Sequence, residues 1–315
     1  MLETIRGAMS WAFHELSRGA CGELSRTDAE VLLISLLGIS RAELKAHEER
    51  GLSHTEQRAF KSHMQRYISG EPVSYITGRQ PFWTLDLEVD PSVLIPRPET
   101  ELLVEAAIEV MPDPHAHVLD LGTGCGAIAL ALSVERPSWE LVAVDRSIEA
   151  LAVASRNYAD IGERHTIGHV EFRQSDWFSD IERRFDLVIA NPPYVALHDP
   201  LYEGSGFEPK EALFSGRTGL EALHTIIANS PLHLRPAGWL LVEHGNLQGE
   251  SVREMMGDAG FYRIETRQDL AGHDRITLGR RILLRRSAGR NSPGRRIPGQ
   301  ELGDAEASWT VKVYP

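Results

Sequence analysis

The run His117-Val-Leu-Asp-Leu-Gly-Thr-Gly-Cys-Gly126 decides how the rest of the chain is read. An apolar strand breaks into a turn with glycine at 122, 124 and 126. Ile128, Leu130, Ala131 and Leu132 then supply the apolar residues of a helix. Glycines so placed let a ligand approach the backbone of the turn closely. The alternation continues downstream. Residues 141–144 read as a second strand ending in Asp145, and 148–158 as a second helix. Residues 170–172 form a third strand ending near Asp176-Trp177, and the apolar run 187–190 a fourth. A helix over 220–227 leads to a fifth strand at 239–243, and 261–266 with 276–278 close the sheet. This pattern predicts an α/β fold, a mostly parallel sheet with helices on both faces.

The fourth strand stops abruptly at Asn191-Pro192-Pro193-Tyr194. Two prolines cannot continue a central strand, since neither has a ladder donor and each fixes its own φ. The tetrapeptide therefore falls at the carboxyl end of a buried strand, where open α/β sheets bind ligands. Asn191 offers a carbonyl acceptor, Pro192 a backbone carbonyl and Tyr194 a flat face. Together they suit a planar nitrogen-bearing group held by its hydrogens. The plainer alternative is a Pro-rich turn.

The glycine turn alone leaves two cofactors open. Gly122, Gly124 and Ala127 satisfy a loose dinucleotide pattern, with Asp145 near the position of a ribose-binding carboxylate, so an NAD enzyme is a rival. Two features favour S-adenosylmethionine. Asp120, two residues before the first glycine, suits a cationic amino-acid end, and Asn-Pro-Pro-Tyr has no evident part in hydride transfer. Asp145 would then accept both ribose hydroxyls, and Asp176-Trp177 would flank the adenine; the plainer readings are a strand-end turn residue and a core tryptophan. Cys125 reads as a small loop residue, because no base or cation stands near it to make a nucleophile. The thirteen histidines form no ligand spacing, so no metal is expected.

Before the turn, residues 1–70 read as a small helical bundle. Thr27/Glu30, Ser40/Glu43 and Ser53/Glu56 each have the spacing of a capping box. Met1 to Gln80 holds 10 Lys/Arg and 10 Asp/Glu, a balance that suits a docking module for a protein better than one gripping a polyanion. A structural cap on the larger domain is the competing reading. Residues 71–98 read as a β-hairpin linker ending in Pro96-Arg97-Pro98, with Arg97 exposed on a rigid loop and able to reach a ligand, its default reading being a solvated or ion-paired arginine. The domain from 99 to 286 carries the α/β pattern. Its stretch 195–219, with Gly204, Gly206, Pro209, Gly216 and Gly219 and no periodicity, is long enough to be a functional lid. Residues 287–315 lose all periodicity and read as a disordered tail.

Composition sets the outer bounds. The 315 residues are 42% hydrophobic and 25% charged, ordinary for a soluble globular protein. No apolar run approaches a membrane span or a secretory signal, and the two cysteines, Cys21 and Cys125, have no metal or redox spacing. A cytoplasmic protein is expected. The net charge of −12 argues against a broad polyanion-binding surface.

With these residues in view, residues 5–283 resemble the protein-glutamine N5-methyltransferases that modify bacterial class I peptide chain release factors. The resemblance lies in Pro96-Arg97-Pro98-Glu99-Thr100, the Asp120-to-Gly126 turn, Asn191 to Tyr194, Glu208-Pro209 with Ala212-Leu213, and Asp269-Leu-Ala-Gly-His-Asp-Arg275. It implies a Rossmann-like class I methyltransferase, with a seven-stranded sheet whose last strand is antiparallel. It further implies that Gly122, Thr123, Gly124, Cys125, Gly126, Asp145, Trp177 and Asn191 contact S-adenosylmethionine. Asn191, Pro192, Pro193 and Tyr194 would grip the glutamine of a Gly-Gly-Gln loop, with Arg97 also on the substrate side. Asn-Pro-Pro-Tyr is shared with DNA adenine and rRNA guanine amino-methyltransferases. A nucleic-acid substrate and a dinucleotide-binding protein therefore stand as the alternatives.

Overall fold

The computed structural model describes residues 2–18, 26–199 and 206–282. Cys21, part of the expected lid and the expected tail at 287–315 lie outside these residues. Five helices come first: α1 (Ile5–Arg18), α2 (Arg26–Leu37), α3 (Arg41–Ala46), α4 (His54–Ile68) and α5 (Val73–Thr77). The boxes at Ser40 and Ser53 form as their spacing predicts, each hydroxyl taking the N–H of the glutamate three residues on. The box expected at Thr27 does not. Thr27 lies inside α2, and Glu30 is bonded instead by Lys45 Nζ at 2.6 Å and Arg41 Nε at 2.9 Å. In α4, Phe60, Met64 and Tyr67 recur at helical spacing and are buried against Leu32, Leu33 and Leu44.

A hairpin of β1 (Arg79–Phe82) and β2 (Leu85–Glu88) follows. It is clasped to the larger domain by the buried Asn157, whose Oδ1 accepts from Glu88 N at 2.6 Å. Its Nδ2 donates to Glu88 O and Cys125 O, both at 3.0 Å. Phe82, Leu85 and Leu87 join the core of the larger domain, so the hairpin is a packed element.

The α/β part runs α6 (Glu101–Val110), β3 (His117–Leu121), α7 (Ala127–Glu135), β4 (Glu140–Asp145), α8 (Ile148–Gly162), β5 (Val170–Gln174) and β6 (Phe185–Ala190). After a long connection come α9 (Lys210–Leu213), α10 (Glu221–His233), β7 (Leu234–Glu243), α11 (Gly249–Asp258), β8 (Phe261–Gln268) and β9 (Asp274–Arg281). The seven strands lie in the order β5-β4-β3-β6-β7-β9-β8. Pairings from β5 across to β7 are parallel, and β9 runs antiparallel to both β7 and β8. The last strand is antiparallel, as expected.

Both faces of the sheet are covered. Leu187, Ile189 and Leu241 pack on one side with α6 and α7, while Val188, Ala190, Leu240 and Val242 pack on the other with α10 and α11. That explains why these strands read as continuous apolar runs. Chain order reverses between β3 and β6, and Leu121 pairs with Ala190 across that gap. Gly122 and Asn191 are the next residues along each strand, so the glycine turn and Asn-Pro-Pro-Tyr share one rim at the switch point of the sheet.

Candidate active site

The glycine turn is shaped by backbone geometry. Gly122, Gly124 and Gly126 have φ of 72°, 56° and 89°, values that L side chains rarely adopt. The N–H groups of Gly122 and Thr123 both donate to Val144 O at 2.9 Å, folding the turn onto the end of β4. Gly126 serves packing, since a Cβ there would lie 2.9 Å from Leu130 and 3.3 Å from Ala154. Gly122 serves the ligand side. A Cβ on it would meet the Trp177 ring at 3.4 Å.

Asp145 stands where β4 ends. Its Oδ2 accepts from Gly124 N and its Oδ1 from Ser147 N, each at 2.9 Å. Each carboxylate oxygen keeps a further lone pair for a ligand hydroxyl. Burial raises its pKa, and those N–H bonds oppose the rise. Trp177 takes a positive φ of 51°, fixed by Ser175 Oγ donating to Trp177 O at 2.9 Å. A bulky residue held this way costs about 1–3 kcal/mol, and such strain gathers where a ligand is clamped.

Asn191, Gly122, Gly124, Asp145, Trp177 and Pro193 line one cavity of about 740 Å³, a size that takes a cofactor. Ser92 to Leu94 form another part of its wall. The connection after β6 forms more, through Pro209, Ala212, Phe214 and Ser215. That connection folds back as Val195 N donates to Leu213 O at 3.0 Å and Ser215 N to Val195 O at 2.8 Å. Arg97 and Glu208 tie it down from outside. Arg97 Nη2 donates to Glu208 Oε2 at 2.6 Å, and Ile95 N donates to Oε1 of the same carboxylate at 3.1 Å. The expected lid is thus partly ordered wall, with a helical turn at α9.

Other expected site residues stand off the wall. Thr123 is buried and donates its hydroxyl to Asp120 Oδ2 at 2.7 Å. Asp120 is 1% exposed, its Oδ1 has no hydrogen-bond partner, and burial pushes its carboxyl up to about 7. Cys125 is buried with its thiol pushed up to about 12, which removes it as a nucleophile at neutral pH. Pro192 is buried, and Arg97 is engaged by Glu208.

Tyr194 is not part of the cavity lining; its hydroxyl donates to Glu243 Oε1 at 3.2 Å, while its carbonyl accepts from Gln248 Nε2 at 3.0 Å. Asn191 donates through Nδ2 to Thr100 Oγ1 at 3.0 Å, and nothing among the described residues donates to its Oδ1. Thr100 and Glu243 were not singled out by sequence reasoning. The available signal was a carboxylate closing the apolar run Trp239-Leu-Leu-Val-Glu243 at the ligand-binding edge of the sheet. Among the described residues no group of three His, Cys, Asp or Glu could hold a metal, and no helix is long and apolar enough to cross a membrane.

A reversed-order parallel sheet with this glycine turn, this strand-end acid and an Asn191 carbonyl that no described residue donates to is the arrangement of a class I methyltransferase. Residues 98–202 match the model of the methyltransferase small domain, and residues 8–78 match that of the PrmC N-terminal domain. The release factor glutamine methyltransferase of Pseudomonas aeruginosa is 49% identical over 81% of this chain and 92% of its own length. That of Escherichia coli is 40% identical over 86% and 97%. The chain belongs to the release factor glutamine methyltransferase family. Its fold is also found, at 14% identity and a TM-score of 0.50, in the hMettl16 catalytic domain in complex with MAT2A 3'UTR hairpin 6, over 74% of this chain and 84% of that one. The relatives do not favour the nucleic-acid and dinucleotide alternatives.

Proposed function

We propose that this enzyme methylates the side-chain amide nitrogen of the glutamine in the Gly-Gly-Gln loop of class I peptide chain release factors, using S-adenosylmethionine and leaving S-adenosylhomocysteine. Asn191 carries the reading. Its amide is anchored through Nδ2, which leaves a carbonyl oxygen bare beside the cavity. Asn191 Oδ1 and the Pro192 carbonyl would each accept one N–H of the substrate amide. That turns the nitrogen lone pair toward the cavity, and the Tyr194 ring would cover the amide plane.

The cofactor fits the rim. Asp145 has lone pairs left for two ribose hydroxyls, Gly122 and Trp177 lie together on the wall where a flat base would rest, and Asp120 keeps an unpaired buried Oδ1 at the start of the turn. When bound, S-adenosylmethionine supplies an electrophilic methyl. The protein's share is positioning, which can contribute roughly 7–11 kcal/mol to lowering a barrier. No strong base is needed, and the departing amide proton leaves to solvent. A glutamate in place of the glutamine would be rejected, because its ionised carboxylate has no hydrogen to give two acceptors.

The N-terminal helices, residues 1–70, would dock the release factor, and 71–98 would link them to the catalytic domain 99–286. A partner in translation termination implies a cytoplasmic enzyme. The test is competitive. Labelled S-adenosylmethionine is added to the enzyme with release factor, ribosomal RNA and DNA together. Label is expected in the release factor, and label in nucleic acid would overturn the reading.

A further inference from the structure

The carbonyl that closes Asn-Pro-Pro-Tyr is held from a third segment of the chain. Gln248, half-buried at the N-cap of α11, donates through Nε2 to Tyr194 O at 3.0 Å and to Gly219 O at 3.4 Å. Its Oε1 accepts from Gly245 N at 2.8 Å. The amide can stand in one orientation only, because two carbonyls accept and a peptide N–H donates. Gly245 is fixed in turn. Buried His244 sets Nδ1 2.9 Å from the Gly245 carbonyl and Nε2 2.8 Å from Thr277 Oγ1. Gly219 marks how closely the joined segments approach. Its φ is 78°, and a Cβ there would lie 2.3 Å from Tyr194 O and 3.0 Å from Gln248 Nε2.

We infer that Gln248 is a positioning residue that fixes Asn-Pro-Pro-Tyr against the 209–225 wall of the cavity, and so holds the Asn191 and Pro192 acceptors in register with the substrate amide. The inference rests on the methyl-transfer reading of the rim. Asn191 and Pro193 line the cavity just before Tyr194, and Ser215, Glu221 and Ala222 line it on either side of Gly219. Backbone bonds from Val195 to residues 213 and 215 also join these flanks. Gln248 itself is not in the lining. Both hydrogens of its Nε2 are spent on the two flanks, so one planar group ties them together. The prolines carry the effect inward. Each fixes its own φ, so a shift at Tyr194 is passed on to Asn191 and little of it is absorbed between them. Reaction needs the nitrogen and the methyl about 3–3.5 Å apart, which makes a small shift costly.

Two variants of the full-length enzyme test this. Gln248→Met keeps the length of the side chain and removes both donors. Gln248→Glu keeps the acceptor for Gly245 and turns an ionised oxygen on the two carbonyls. In turnover with release factor both should lower kcat by about 10²-fold, the cost of a reacting group about 1 Å out of place. KM for the factor and affinity for S-adenosylhomocysteine should change little. A side chain that only filled space would be replaced by Met without loss of kcat. Hydrogen exchange followed by mass spectrometry gives a readout that needs no substrate. The amides of Val195 and Ser215 should exchange faster in both variants, while peptides covering 117–126 exchange as in the wild type. Unchanged exchange at 195 and 215, an equal rise at 117–126, wild-type kcat in both variants, or an equal fall in cofactor affinity overturns the clamp. Faster exchange confined to 195 and 215, in an enzyme whose wild type labels no release factor, keeps the clamp and overturns the substrate.

Discussion

The two sides of the cavity rim are built by different means. On the β3–β4 side the backbone does the work. Three glycines at positive φ fold onto β4, and one carboxylate collects the N–H groups of Gly124 and Ser147. On the β6–β7 side the chain is stiffened by prolines, but orientation comes from side chains remote in sequence. Asn191 is held by a residue 91 positions away and Tyr194 by one 49 positions away. In the proposed reading the first side would recognise a ligand through its backbone turn and one carboxylate, and the second would recognise hydrogens through the Asn191 carbonyl. Binding of the methyl donor and selection of the acceptor should therefore be separable by substitution.

The largest effect should come from Asn191→Ala, which removes one of the two acceptors. Turnover is expected to fall about 10²–10³-fold, as when one preorganised polar group is lost from an active site. Cofactor affinity by calorimetry should fall far less, and an equal fall in both would erase the division between the sides. Asp145→Ala should do the reverse. Loss of even one hydrogen bond to a charged acceptor, worth about 1.5–3 kcal/mol, predicts cofactor binding weaker by at least one order of magnitude. Unchanged affinity for S-adenosylhomocysteine would remove Asp145 from the ribose. Gly122→Ala should act more mildly, because the added methyl meets positive φ and the Trp177 ring together. A melting temperature lower by about 2–4 °C corresponds to the loss of 1 kcal/mol in a chain near this size. An unshifted melting curve would mean the turn tolerates a side chain.

The smallest effect concerns pH and sharpens the acceptor side. Burial raises the Glu243 carboxyl from its ordinary 4.5 to about 7, so the folded state holds a proton the unfolded chain releases. The stability this contributes is complete below pH 4.5 and is lost as pH rises through about 7. Asp120 behaves in the same way between 3.8 and about 7. Glu243→Gln removes the Glu243 titration and leaves that of Asp120. Its melting temperature should gain on the wild type steadily from pH 4.5 to 7, and a constant difference would mean Glu243 is already ionised throughout.

What could be read from the sequence follows the same division. Strand–turn–helix alternation and unbroken apolar strands are local patterns, so the sheet, the glycine turn and the strand ends carrying Asp145 and Asn191 were visible. Capping was legible at Ser40 and Ser53, but at Thr27 a tertiary partner overrode the pattern, since Lys45 and Arg41 take Glu30. Burial was harder. Thr123 and Cys125 belong to the turn by sequence, yet they lie beneath its surface, because a tight turn shows alternate residues to opposite sides. Thr100, Glu243 and the Arg97–Glu208 tie were hidden for another reason. Each is defined by two segments that meet only once the sheet is wound, and no spacing encodes such a meeting.

If the rim grips an amide by its hydrogens, the methyl must land on the nitrogen of that amide. Release factor treated with the enzyme and S-adenosylmethionine would be digested and its peptides mapped by mass. One added methyl on the side-chain nitrogen of the Gly-Gly-Gln glutamine is the predicted result. A methyl on a carboxylate, on a lysine or elsewhere in the factor would contradict it.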